Sequence, residues 1–194
     1  MPDSPEQGPS RKPRADGERN RSLLIAAAKQ AFAEKGTAAS LEQIARDAGV
    51  GIGTLYRHFP TRDALVEAVY RQESDALVEA AARLAADLPP VEALRAWLLL
   101  FIEYLAAKEG MTDALNALIG GTDALYSASS ARITDAIGTL ARRAAETGAI
   151  RLDIEPLDLV RAIAGLAKLN PAADWKRSAI RMVDILLNGL RVGP

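Results

Sequence analysis

The chain has no cysteine, one histidine and only nine Phe, Trp and Tyr residues in 194. Without cysteine, disulfides, thiolate nucleophiles and thiolate metal sites are excluded. With His58 as the sole imidazole, a Cys/His catalytic pair and a His-rich metal cluster are excluded too. Aromatic and β-branched residues are sparse while alanine and leucine dominate, which favours an all-α fold. No apolar run approaches the ~20 residues that a bilayer span needs. The first residues are polar and proline-rich and lack the apolar stretch of a signal peptide.

A strong excess of either charge is also missing, since the formal net charge is −1. Divided along the chain, residues 1–62 carry ten Lys/Arg against seven Asp/Glu, and residues 63–194 carry fourteen against eighteen. Phosphate contact is local, so the cationic share of the first segment is what bears on nucleic-acid binding. Residues 1–17 contain four prolines and two glycines and read as a disordered tail. Its patch of Arg11, Lys12 and Arg14, followed by Arg19 and Arg21, has two readings: a solvated tail, or an arm along a phosphate backbone.

Catalytic chemistry is thin. Gly51 and Gly53 form a partial Gly-x-Gly with no strand before them, which reads as a turn. Asp153, Glu155 and Asp158 cluster as carboxylates do at a helix N-terminus. The expectation is a protein that is not an enzyme, with no metal and no cofactor.

The run Ser40 to Phe59, SLEQIARDAGVGIGTLYRHF, carries the most information. Ser40 followed by Gln43 has capping-box spacing, so a helix starts there, with each side chain reaching the other's backbone amide. Leu41, Ile44, Ala45 and Ala48 recur on one face, and Gly49 supplies the positive φ of a sharp helix exit. A second helix opens on Gly51-Ile52-Gly53 and turns Leu55 and Phe59 inward. Thr54, Arg57 and His58 then lie away from the buried stripe. Two short helices of this kind suit a helix-turn-helix whose second member enters the DNA major groove.

Leu23 to Leu65 resembles the DNA-binding domain of the TetR family of bacterial transcriptional regulators. The matching blocks are AAKQAFAEKG, SLEQIARDAGV, and GTLYRHF followed by TRDAL. The resemblance implies a three-helix DNA-binding domain over 18–62. It implies a larger helical effector-binding and dimerisation domain over 63–194, with about nine helices in all. It places the protein in the bacterial cytoplasm, without a membrane partner. It also implies a homodimeric repressor on a palindromic operator in double-stranded DNA, released by an unknown, small and mostly apolar effector. A different class remains open: a helical sensor or partner-binding module that keeps the helix-turn-helix only as scaffold.

Within the first domain, Arg57 is a base reader or a phosphate partner, and Tyr56 a backbone contact or a half-buried ring. His58 is a phosphate or base contact, or a core-edge histidine. Ile52, Gly53 and Thr54 lie at the end of the helix that base edges approach. The family pattern often has a polar residue where Gly51 or Ile52 stands. Ser40 and Arg62 are expected phosphate anchors, one through its hydroxyl and the other as a mobile cation.

Further helices are expected over about 18–35, 61–88, 91–108 and 112–119. Another ends at Gly148, one follows Pro156 and is stopped by Pro171, and the last runs over about 173–190. The set Trp97, Phe101, Tyr104, Met111, Leu115, Leu118, Tyr126, Ile133 and Ile137 is where an effector cavity would lie, or else it is plain core. Leu159, Ile163, Leu166, Ile180, Val183 and Leu187 are the expected dimer surface, with intramolecular packing as the alternative.

Overall fold

A computed structural model of the protein describes residues 12–169 and 175–192. Among the described residues there are nine α-helices and no strand. They are α1 (Lys12–Lys35), α2 (Leu41–Asp47), α3 (Ile52–His58), α4 (Arg62–Asp87), α5 (Pro90–Gly110), α6 (Thr112–Asn116), α7 (Asp123–Glu146), α8 (Pro156–Leu169) and α9 (Trp175–Gly189). A 3₁₀ turn, Gly36–Ala38, joins α1 to α2. An isolated antiparallel bridge pairs Ile150 with Arg191, so the segment after α7 is tied to the end of α9.

The first helix starts earlier than the sequence implied. Residues 12–17, assigned above to the disordered tail, form its opening turns, and the rest of that tail lies outside the described residues. Pro13 does not prevent this, because the first amides of a helix have no intrahelical acceptor to lose. The expected stop at Pro171 and the expected start near Ala173 also fall outside the described residues. α6 ends at Asn116 rather than Ile119, and the Ile119 amide donates instead to Asp63 Oδ2 at 3.0 Å.

The α2–α3 pair forms for the reasons visible in its sequence. Ser40 caps α2 by accepting from the Gln43 amide at 3.3 Å. The reciprocal half of the expected capping box is absent: the Gln43 side chain bonds Asp47 at 2.6 Å, and the Ser40 hydroxyl donates to Glu42 at 2.7 Å. Gly49, at φ +69°, makes the exit from α2. Ile44, Leu55 and Phe59 are buried with Leu24, Ala28 and Phe32 of α1, which locks the three helices around one small core.

α4 begins beside that core, capped by Thr61, whose hydroxyl accepts from the Ala64 amide at 3.1 Å. It then runs between α1, α5 and α7. The Trp97 indole on α5 donates to the Leu77 carbonyl of α4 at 2.9 Å, and its ring stacks on Phe101 at 5.9 Å. α8 and α9 pack on each other and on α5.

Candidate nucleic-acid interface and effector recess

On α3, every fourth position faces inward: Leu55 and Phe59 are buried, while Ile52, Gly53, Tyr56 and Arg57 are exposed. Tyr56 keeps 46% of its surface in solvent, a large fraction for an aromatic ring in a folded chain. Arg57 is held along the helix, its Nη2 donating to Thr54 Oγ1 at 2.8 Å and its Nε meeting the Gly53 carbonyl at 3.4 Å. A guanidinium carries five N–H donors, so most still point outward. Tyr56 and Arg57 thus stand exposed on a seven-residue helix, with Arg57 held by the half-buried Thr54.

Two of the expected contacts sit differently. Arg62 is not a mobile cation. Its guanidinium donates to the carbonyls of Ala39, Gly36 and Thr37 at 2.6, 3.1 and 3.0 Å, and lies 5.1 Å from the Phe32 ring centroid. It ties the start of α4 to the turn before α2, because free carbonyls at the end of a helix need donors. His58 is half-buried at the end of α3, beside Gly17 of α1, in a recess it shares with Arg21, Glu67 and Arg71. Ser40 remains exposed, with its hydroxyl engaged by Glu42.

A second recess, of about 260 Å³, opens between α4, α5, α7 and α8. Of the nine residues expected around an effector cavity, Phe101, Tyr104, Tyr126 and Ile133 line it. Trp97, Met111, Leu115, Leu118 and Ile137 do not; they are buried core. Met111, Leu115 and Leu118 brace α6, which lies against the 3₁₀ turn. Deep in the recess the Tyr70 hydroxyl bonds Ser129 at 2.7 Å and Tyr104 at 2.9 Å. Burial pushes the Tyr104 phenol well above the usual tyrosine range, so the hydroxyl stays neutral.

Sequence reasoning missed Tyr70, Ser129 and Lys108 in this recess. Tyr70 and Ser129 lie 59 positions apart, and no local spacing marks a hydrogen bond between distant helices.

The expected dimer residues divide. Leu159, Ile163, Val183 and Leu187 are buried inside the protomer and cannot form its outer surface. Apolar residues lie on more than one face of α8 and α9, and one set of them is drawn into the intramolecular core. Leu166 is half-buried, and Ile180 and Ile185 face solvent with 39% and 63% of their surface exposed.

This architecture, a helix-turn-helix on a three-helix core followed by a helical C-terminal domain, defines a class of DNA-binding transcriptional regulators. Residues 24–69 match the family described as bacterial regulatory proteins, tetR family, and residues 89–192 match the C-terminal domain of SbtR-like transcriptional regulators. The chain is 46% identical to a TetR transcriptional regulator from Streptomyces coelicolor, with 90% of this chain and 99% of that one covered at a TM-score of 0.81. It is 32% identical to a TetR transcription regulatory protein from Mycobacterium vanbaalenii, covering 92% and 99% of the two chains at a TM-score of 0.75. The chain belongs to the TetR family of bacterial transcriptional regulators.

Proposed function

We propose that the protein is a homodimeric repressor that binds a palindromic operator and leaves it when a small, mostly apolar effector enters the recess between α4, α5, α7 and α8. The observation that carries this reading is the pair Tyr56 and Arg57 on α3, both exposed to solvent, with Arg57 held by a hydrogen bond to the half-buried Thr54. Arg57 reads a guanine edge or a phosphate, Tyr56 meets the backbone, and Ile52 offers an apolar contact to a thymine methyl. Arg62 and His58 act from behind, holding the helix-turn-helix against α1 and α4.

In a dimer the two copies of α3 would stand one turn of B-DNA apart, about 34–36 Å, so that both enter major grooves on one side. The apolar residues of α8 and α9 left outside the core, Leu166, Ile180 and Ile185, mark the surface we assign to the partner copy. We place the division between the DNA-binding part and the effector part at the start of α4. That helix carries Tyr70 into the recess, while its first turn holds the 3₁₀ turn through Arg62. An effector that prefers the spacing unsuited to DNA would then shift the population away from the operator.

The test is a gel-shift titration of a selected operator with Tyr56→Ala/Arg57→Ala. Affinity is expected to fall at least about thirtyfold, from the loss of two contacts of about 1–3 kcal/mol each. Unchanged affinity in that double variant, with its helical circular dichroism intact, would remove α3 as the reader.

A further inference from the structure

The recess between α4, α5, α7 and α8 has an uneven charge lining. Lys108 and Arg161 border it, and no carboxylate does. Arg161 is already paired with Asp158, one turn before it on α8, at 3.0 Å. Lys108 is different. Its ammonium stands 3.8 Å from the centroid of the Tyr126 ring, and no carboxylate among the described residues pairs with it. Burial holds its pKa below the ordinary lysine range, and the charge of Lys168 acts in the same direction. Among the described residues this partly desolvated ammonium meets a ring and the charge of another cation, without the counter-charge that such groups normally have.

The three linked hydroxyls of Tyr70, Tyr104 and Ser129 do not supply an alternative anion site. Ser129 Oγ lies 3.0 Å from the Leu125 carbonyl and 3.1 Å from that of Tyr126, so its proton goes to the backbone of its own helix. Ser129 therefore accepts from Tyr70, and Tyr70 in turn accepts from Tyr104. All three O–H donors are consumed within this chain, which leaves only acceptor lone pairs toward the cavity. An anion would be repelled by those lone pairs and attracted by Lys108. Much of the remaining wall is apolar, with Phe101, Leu105, Ile133 and Val160.

We infer that the effector is an amphipathic carboxylate of about a dozen heavy atoms, its carboxylate against Lys108 and its apolar body along Phe101, Ile133 and Val160. This inference rests on the effector reading given above and adds to it the one charge that the ligand carries. Tyr104, one turn before Lys108 on α5, accepts a hydrogen bond from a donor on the ligand.

Matched probes test it on the full-length protein: 1-naphthylacetate and decanoate against 2-(1-naphthyl)ethanol and decan-1-ol. Calorimetry measures binding, and gel shift measures release of the operator. Each acid is expected to bind about tenfold or more tightly than its alcohol, the gain of a charge-assisted contact. Lys108→Met should lower the acids to the affinity of the alcohols and leave the alcohols within about twofold, while Lys108→Arg should keep the preference. Equal binding of acids and alcohols, with operator release, would overturn the anion assignment and leave the effector reading in place. A preference that survives in Lys108→Met would do the same. Failure of all four probes to bind or to change operator affinity would overturn both.

Discussion

Arg62 shows how one side chain separates two accounts of the same position. As a phosphate anchor it would be dispensable for stability, and its removal would lower the salt dependence of DNA binding by about one unit of slope. As the clasp observed here, it satisfies three carbonyls around the turn that leads into α2. Arg62→Ala should therefore cost about 2 kcal/mol in urea denaturation, the scale of hydrogen bonds to a charged group. It should weaken operator binding without changing the salt slope, and Arg62→Lys should rescue little, because an ammonium cannot reproduce the planar fork. The sequence marked Arg62 as a cation near the recognition helix. Nothing in local spacing told that its partners lay 23 to 26 residues earlier.

At the scale of elements, capping residues and periodicity located most helices, and tertiary contacts moved their ends. α4 starts after Thr61 and α8 at Pro156, as their sequences imply. The 3₁₀ turn Gly36–Ala38 had no such signal. Gly36 sits there at φ +51°, and a Cβ on it would come within 3.3 Å of Asp113 on α6. This close approach joins the helix-turn-helix to the C-terminal domain, as does the hydrogen bond from the Ile119 amide to Asp63. Amphipathic spacing identified α8 and α9 as packing helices but misassigned their faces, because apolar residues lie on more than one. The exposed apolar residues of α9 therefore carry the element-scale prediction. Ile185→Asp on the exposed face of α9 should shift a dimer toward monomer by at least about tenfold in sedimentation equilibrium, since a buried isoleucine contributes about 1.5–3 kcal/mol. The monomer should retain its helical circular dichroism. An unchanged dimer would move the interface elsewhere.

For the whole molecule, the all-α class and the helix-turn-helix were legible in the sequence because both rest on local chemistry: helix propensity, a cap, a glycine turn and a four-residue apolar repeat. The recess was legible only in part. Phe101, Tyr104, Tyr126 and Ile133 stood out as bulky residues on long apolar helices, but so did Trp97 and Ile137, which became core. Bulk alone does not tell a cavity wall from a packed interior. Lys108 looked like an ordinary basic residue at the end of a helix until the fold set it over Tyr126. Among the described residues no helix is long and apolar enough to cross a membrane, and no group of three or more His, Cys, Asp or Glu side chains is placed to hold a metal. The features on which the proposal rests are the exposed polar residues of α3, the lined recess, and α4, which reaches both the three-helix core and the recess.

The most direct measurement is in vitro selection of random duplex oligonucleotides by the full-length protein, followed by titration of the enriched sequence over a range of salt. The account predicts an inverted repeat whose half-site centres lie one turn of B-DNA apart, or a whole multiple of it, with affinity that falls steeply as salt rises. Enrichment of no sequence, or binding indifferent to both sequence and salt, would contradict it.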